Sequence, residues 1–509
     1  MLVSPHQRMA ALGCALLLGA GLASAQEKPA NPSEVYGARI QATTLAATTT
    51  PYSATRDSLS SADTLRYWNQ IAIDASGLDH TAVQPGENRV FGEQLGPGRS
   101  ARAVAIVQIA VYDATNAIVG GYQRYTKTTP ASKPASVDAA IIAAAHDTLV
   151  AMWPSQKPYF DQLQDEDLNR IIVKSAAQKQ AGVAVGKEAA KLILAMRAND
   201  HSAGADPKMD GEWSTSDQPG HWRQDPIGKS PIAMGAHWGE VTPFVLISSK
   251  QFRIPAPPKM NSAAYTAAYN EVKSLGGDGV HTPTQRTEEQ AFIGVFWAYD
   301  GTPSLCAPPR LYNQVTAEIS KKETSVIKLA RLFALVNVSM ADAGIASWES
   351  KYYWDFWRPV GGIRESDPGT GPTGLGDGNP ATLGDPHFWP LGAPASNLQG
   401  PNFTPPFPSY PSGHATFGGA LFETLRNFYG TDKIAFTFVS DEFNGETRAN
   451  DGTVRPYRPR SFDNLSQAEE ENGQSRIYLG IHWAFDKTEG IKQGRKVADY
   501  VFAHEFRPL

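Results

Sequence analysis

Apolar residues along this chain recur mostly at spacings of three and four, the interval that puts them on one face of a helix, and seldom at the alternating spacing of a strand. On that pattern helices are expected over 61–75, 99–119, 137–153, 159–172 and 182–198. A second set begins near 262 and includes 288–298, 323–357, 413–428, 474–486 and 490–506. The 323–357 stretch is the longest proline-free amphipathic segment. Between the two sets, 199–261 has no periodicity but is rich in Trp, Pro and His. Such aromatic content argues against disorder, so an ordered irregular connector is expected. The pattern predicts an all-α protein, with an N-terminal helical bundle plus connector over 59–261 and a C-terminal bundle over 262–509.

The N-terminus differs. Arg8, an apolar run over 9–22 and the small residues Ala23-Ser24-Ala25 read as a signal peptide over 1–25, cleaved between Ala25 and Gln26. A secreted or periplasmic location follows as an expectation. The Ala/Thr/Ser-rich stretch 26–58 reads as a loosely ordered tail. Removing 1–25 deletes Arg8 and no acid, which takes the formal charge from −5 to −6. Mild acidity of this kind argues against nucleic acid or an anionic membrane surface as partner. Cys14 leaves with the signal, so Cys306 alone remains and the mature monomer has no internal disulfide. No later stretch reads as the roughly 18 apolar residues of a spanning helix.

Three segments then change the picture from fold to chemistry: 351–359 (KYYWDFWRP), 411–414 (PSGH) and 475–486 (SRIYLGIHWAFD). Lys351 and Arg358 are seven apart, about two helical turns, and would share a face if the helix ran on to Pro359 and stopped there. Arg offers a planar fork to oxyanion oxygens and Lys a point charge. Taken singly, the pair also fits an ordinary basic helix end facing its own dipole. Ser412 is placed to cap a buried helix over 413–428, where unpaired N–H groups favour an anion. Gly413 allows close backbone approach, and His414 stands in the first turn. An ordinary capped helix with an incidental histidine accounts for this segment equally well. In the third segment Asp486 follows His482 by four and can fix its tautomer, whereas Arg476, six before His482, lies on another face of an ideal helix. Either a helix begins near Gly480, or the Arg arm reaches around one.

Taken together, K-x6-R-P, P-S-G-H and S-R-x3-G-x-H-x3-D resemble the signature of the type 2 phosphatidic acid phosphatase superfamily, which includes acid phosphatases and vanadium-dependent haloperoxidases. Trp348, one turn before Lys351, and Phe407, seven before His414, are similar to the aromatics that line the halide end of the pocket in vanadium chloroperoxidases. The segment 296–315, including Asp300, resembles the chloroperoxidases too. Core packing is the alternative reading of both rings.

The resemblance implies two packed helical bundles with the active site in the C-terminal one. It also implies one vanadate per chain, with phosphate able to occupy the same site. His482 is then the vanadium ligand. Lys351, Arg358, Ser412, Gly413 and Arg476 bind the oxyanion, with Lys351 also polarising bound peroxide, and His414 is the acid/base group. Asp300 and Asp486 support these residues, and Trp348 and Phe407 form the halide pocket. The implied partners are hydrogen peroxide and halide, with an organic acceptor left open, and the product is hypohalous acid. The alternatives are a secreted acid phosphatase with a phosphohistidine on His482 and, more remotely, a non-catalytic oxyanion-binding protein. The Gly/Pro/Asp-rich stretch 361–407 is free to reshape the pocket mouth.

Overall fold

In the computed structural model, which describes residues 28–41, 60–132, 134–171, 175–209 and 211–509, the first half of the chain forms helices α1 (Ser33–Tyr36), α2 (Ser61–Asp79), α3 (Gly96–Val119), α4 (Val137–Met152), α5 (Lys157–Arg170) and α6 (Ala176–Met196). The second half forms α7 (Ala263–Leu275), α8 (Glu288–Phe296), α9 (Pro308–Ile319), α10 (Val326–Trp354), α11 (Pro359–Arg364), α12 (Gly413–Tyr429), α13 (Leu465–Tyr478) and α14 (Ala484–His504). The sheet among the described residues is a short antiparallel pair, β1 (Phe436–Phe438) with β2 (Arg460–Phe462).

Helix α4 packs on α3 and α6, and α10 packs on α12 and α14, so two helical bundles meet along α3 and α10. Both of these central helices are apolar on nearly every face, which is the pattern of a buried rather than a surface helix. By length and composition each could cross a bilayer, contrary to the sequence expectation. However, 89% and 100% of their apolar windows lie inside the protein, so they are core helices.

Close packing of α12 on α14 positions the site. A Cβ on Gly494 would lie 2.0 Å from the Thr416 carbonyl oxygen, and one on Gly419 would lie 2.6 Å from that of Ile491. Only glycine permits these helices to approach so closely, and their N-terminal ends are thereby brought together.

Most helix bounds follow the periodicity within a few residues, with five departures, one of them the unexpected α11 after Arg358. The helix expected over 474–486 does not exist as one element, because α13 stops at Tyr478 and α14 starts at Ala484. Gly480, at φ +73°, turns the chain between them, and its close contact with Gly276 excludes a side chain. The helix expected to reach 357 ends at Trp354, where Asp355 takes up a left-handed conformation at φ 49°. Helix α9 was not expected from the pattern; its signal is the proline pair Pro308-Pro309 in the first turn, where missing N–H groups cost nothing.

The last departure is the expected tail. Its residues 28–41 carry α1, with Val35, Tyr36 and Ile40 buried and the Tyr36 hydroxyl donating to the Gly301 carbonyl at 2.9 Å. Burial of these apolar side chains offsets the entropy of ordering a polar-rich segment. The expected signal segment 1–25, with Arg8, Cys14 and the Ala25/Gln26 junction, lies outside the described residues, as does 42–58 of the tail. Cys306 is a free, buried thiol.

Candidate oxyanion site

Lys351 sits fully buried in the last turn of α10, and its Nζ donates to the carbonyls of Pro408 and Ser409 at 3.0 Å each and also to that of Pro411. The ammonium therefore pins the chain just ahead of Ser412. The reversal at Asp355 means that Arg358 does not share a helix face with Lys351. It stands instead at the start of α11, extended at φ −77° and ψ 157° as a residue before proline should be. Pro359 begins a helix rather than stopping one, because its fixed φ suits the first helical position. Arg358 donates through Nε to the Phe407 carbonyl and through Nη1 to the Ile481 carbonyl and to His482 Nε2, all at 3.0 Å.

Ser412 caps α12 as expected, its hydroxyl accepting from the Ala415 amide at 3.4 Å. A side chain at Gly413 would come within 3.2 Å of the Trp348 ring, which would have to shift by a few tenths of an ångström to admit it. His414 is buried, with Nε2 placed 2.5 Å from the Ala298 carbonyl oxygen. A carbonyl can only accept, so Nε2 carries the proton and Nδ1 is the nitrogen left to take one.

The third segment straddles two helices. Arg476 ends α13, His482 lies in the connecting loop, and Asp486 is in the first turn of α14. Of the two expected geometries the first is the nearer: the chain breaks at Gly480 and the new helix begins four residues later, at Ala484, so no Arg arm wraps around a continuous helix. Asp486 Oδ2 accepts from His482 Nδ1 at 2.8 Å, from the Trp483 amide at 3.0 Å and from the Ser409 hydroxyl at 2.5 Å. The Asp486 carbonyl accepts from the Ser412 amide at 3.0 Å, which ties the second and third segments together. Since Arg358 Nη1 is itself a donor, His482 Nε2 must present a lone pair, and the imidazole is neutral with its proton on Nδ1. This is the state a metal-ligating histidine needs. Arg476 Nη2 is 2.5 Å from Asp300 Oδ1, in the loop after α8.

The electrostatics are those of a site short of negative charge. Among the described residues, the carboxylates that act on Lys351, Arg358 and Arg476 are Asp300 and Asp486. Burial, joined by the Arg358 charge, holds the Lys351 ammonium far below its ordinary value. Burial and then Arg476 lower Arg358, despite the pull of Asp486. His414 is driven well down by burial and the Arg476 charge, and His482 by burial and the Arg358 charge. Burial raises Asp300 and pushes Asp486 up to about 7. Buried N–H groups on Arg358 Nη2 and on Arg476 Nε and Nη1 have no partner among the described residues. Unpaired buried donors are costly, and an oxyanion would satisfy all three.

Arg476 faces a small, partly open cavity, with Arg358 just behind its wall. Of the eleven residues expected, Asp300, Trp348, Phe407, Gly413, His414, Arg476 and His482 line it. Lys351, Arg358, Ser412 and Asp486 stand behind that wall. Trp348 and Phe407 form its apolar end, with ring centroids 4.9 Å apart, and Lys351 Nζ lies 5.6 Å and 5.1 Å from the two centroids. Sequence reasoning missed Ser409, the Ala298 carbonyl, Tyr36 and Met234. Ser409 lies between the two prolines ahead of Ser412 and could have been noticed as a hydroxyl donor. The others carried no local signal. The donor set, with the His482 Nε2 lone pair among buried cations and a helix start, fits vanadate or phosphate.

The family model described as the VCPO second helical-bundle domain matches residues 331–509. The sequence is 31% identical over 496 residues to vanadium chloroperoxidase from Curvularia inaequalis, covering 82% of this chain and 78% of that one. Among solved structures, the first bacterial vanadium-dependent iodoperoxidase matches with a TM-score of 0.65 at 23% identity, covering 86% of this chain and 96% of that one. A holo-type bacterial vanadium-dependent chloroperoxidase matches with a TM-score of 0.59 at 16% identity, covering 82% and 94%. These two likenesses establish the fold.

Proposed function

The chain belongs to the vanadium haloperoxidase family, and from that membership we propose that its buried cation ring holds one vanadate and oxidises bromide, and more slowly chloride, with hydrogen peroxide to hypohalous acid. The observation that carries this is the set of buried, unpartnered N–H groups on Arg358 and Arg476 around a neutral His482. Vanadate, when bound, supplies Lewis acidity that activates peroxide toward a halide.

The chain's own residues divide the remaining work. His482 offers Nε2 as the ligand nitrogen, and Asp486 holds its proton on Nδ1. Arg358, Arg476 and the Gly413 amide neutralise and orient the oxygens at a helix start. Lys351 fixes the loop ahead of Ser412 through three carbonyls and contributes charge from behind the wall. Asp300 braces Arg476 and leaves its other N–H groups free. His414 is held neutral by burial and the Arg476 charge, so its Nδ1 can take a proton from peroxide and return it. Trp348 and Phe407 keep the halide end dry, where electrostatic interactions act at lower effective dielectric.

The test is metal analysis of purified protein, followed by bromination of an acceptor with peroxide and bromide before and after vanadate loading. Uptake of one vanadate with gain of bromination, competed by phosphate, is expected. Brisk phosphate-ester hydrolysis without halide oxidation would instead establish the phosphatase reading.

A further inference from the structure

The cavity wall also holds a side chain that this chemistry does not use and that its product would attack. Met234 comes from the irregular connector, is 4% exposed, and lines the same cavity as His414, Arg476 and His482. Its backbone is pinned on three sides. Its carbonyl accepts from Trp348 Nε1 at 3.2 Å and from the Tyr352 hydroxyl at 2.8 Å, and its amide donates to the Pro406 carbonyl at 2.9 Å. The thioether lies over Gly96 at the start of α3, where a Cβ would come within 2.9 Å of the sulfur. A second, smaller cavity lies beside the first and shares Gly96, Pro97, Met234 and Trp348 with it. Met234 is thus part of the partition between the two cavities.

We propose that the Met234 thioether is the first group in the protein to be oxidised by hypohalous acid leaving the site, and that the sulfoxide slows further turnover. This rests on the haloperoxidase reading, which supplies the oxidant. Sulfur attacks the halogen of HOX, forming an S–X bond and releasing hydroxide. Water then attacks the halosulfonium and halide leaves, giving the sulfoxide. Overall, thioether and HOX become sulfoxide, halide and a proton, with sulfur losing two electrons and the halogen gaining two. Thioethers and thiols are the side chains most open to such oxidation. Cys306, the free cysteine among the described residues, is fully buried against the Ser76 and Ser100 hydroxyls and does not line the cavity. Met196 is 52% exposed and far more open to oxidant arriving from solvent. A sulfoxide at 234 would place a polar oxygen beside Trp348 and wet the end of the cavity that excludes water.

The experiment is peptide mass spectrometry of vanadate-loaded full-length protein sampled during turnover with bromide and peroxide, without an organic acceptor. A parallel sample without vanadate receives reagent hypobromite. Oxygen addition at Met234 before Met196 is expected during turnover, with the order reversed for the reagent. Modification of Met196, Cys306 or Tyr36 ahead of Met234 during turnover would overturn the proposal. Met234→Leu, with each protein normalised to its own initial rate, should lose activity more slowly than wild type; an equal decline would overturn the claim that the sulfoxide slows the enzyme. Failure to brominate an added acceptor would overturn the haloperoxidase reading itself, and is told apart because no oxidant is then made.

Discussion

Replacing Arg476 with glutamine tests the anion ring most directly, because the structure separates the hydrogen bonds of this residue from its charge. Arg476 gives one N–H to Asp300 and leaves Nε and Nη1 unpartnered and buried. If both reach oxygens of the bound anion, two charge-assisted bonds at about 1.5 kcal/mol or more each are lost on substitution. The Coulombic change is smaller than deletion of a cation suggests. Burial already raises Asp300 and the Arg476 charge opposes it, so Asp300 should protonate once its partner is gone. The net charge of the ring then stays the same, and the loss falls on the hydrogen bonds. Vanadate affinity should therefore drop by about 3 kcal/mol, on the order of a hundredfold. Asp300→Asn keeps the guanidinium, gives it an amide oxygen and removes a negative charge, so its affinity should stay within about tenfold of wild type. Calorimetric titration of vanadate into both variants, with circular dichroism to confirm folding, measures this. An Arg476→Gln affinity near wild type, or an Asp300→Asn loss as large as that of Arg476→Gln, would refute the reasoning.

Three further outcomes are expected. His482→Ala should abolish stable vanadate retention while His414→Ala keeps vanadate and loses turnover; equal affinity in the two would refute their roles. Phe407→His should depress chloride turnover more than bromide turnover, because the ring 4.9 Å from Trp348 keeps the halide end dry and chloride holds its water more tightly. An unchanged chloride-to-bromide ratio would make Phe407 a packing residue only. His414 and His482 are both depressed below 6.5 in the folded protein, so the unfolded chain binds more protons below that pH. Their contribution to stability is present above 6.5 and lost as pH falls, and a bound oxyanion, by raising both values, should flatten that loss. Urea midpoints at about pH 7.5 and 5.5, with and without phosphate, measure it, and a slope unaffected by phosphate would refute it.

The sequence determined what depends on a few neighbouring residues. Apolar spacing located most helices, Ser412 announced its own cap, and the proline after Arg358 dictated an extended residue there. It also supplied the chemical inventory of the site, since charges, imidazoles and a Ser-Gly corner at those spacings narrow the ligand to an oxyanion. Tertiary structure decided how that inventory is aimed. Whether His482 lay on a helix could not be read from its spacing to Asp486, because a glycine at positive φ pressed against Gly276 broke the helix. Its neutral state was set by Arg358, 124 residues away, and the Asp300–Gly301 loop is held by Tyr36, 265 residues from Gly301. Met234 enters the cavity wall from a segment without periodicity. Helical spacing reports only the turn on either side of a residue, whereas these contacts exist because α3, α10, α12 and α14 pack at one set of distances, and that depends on the whole core at once.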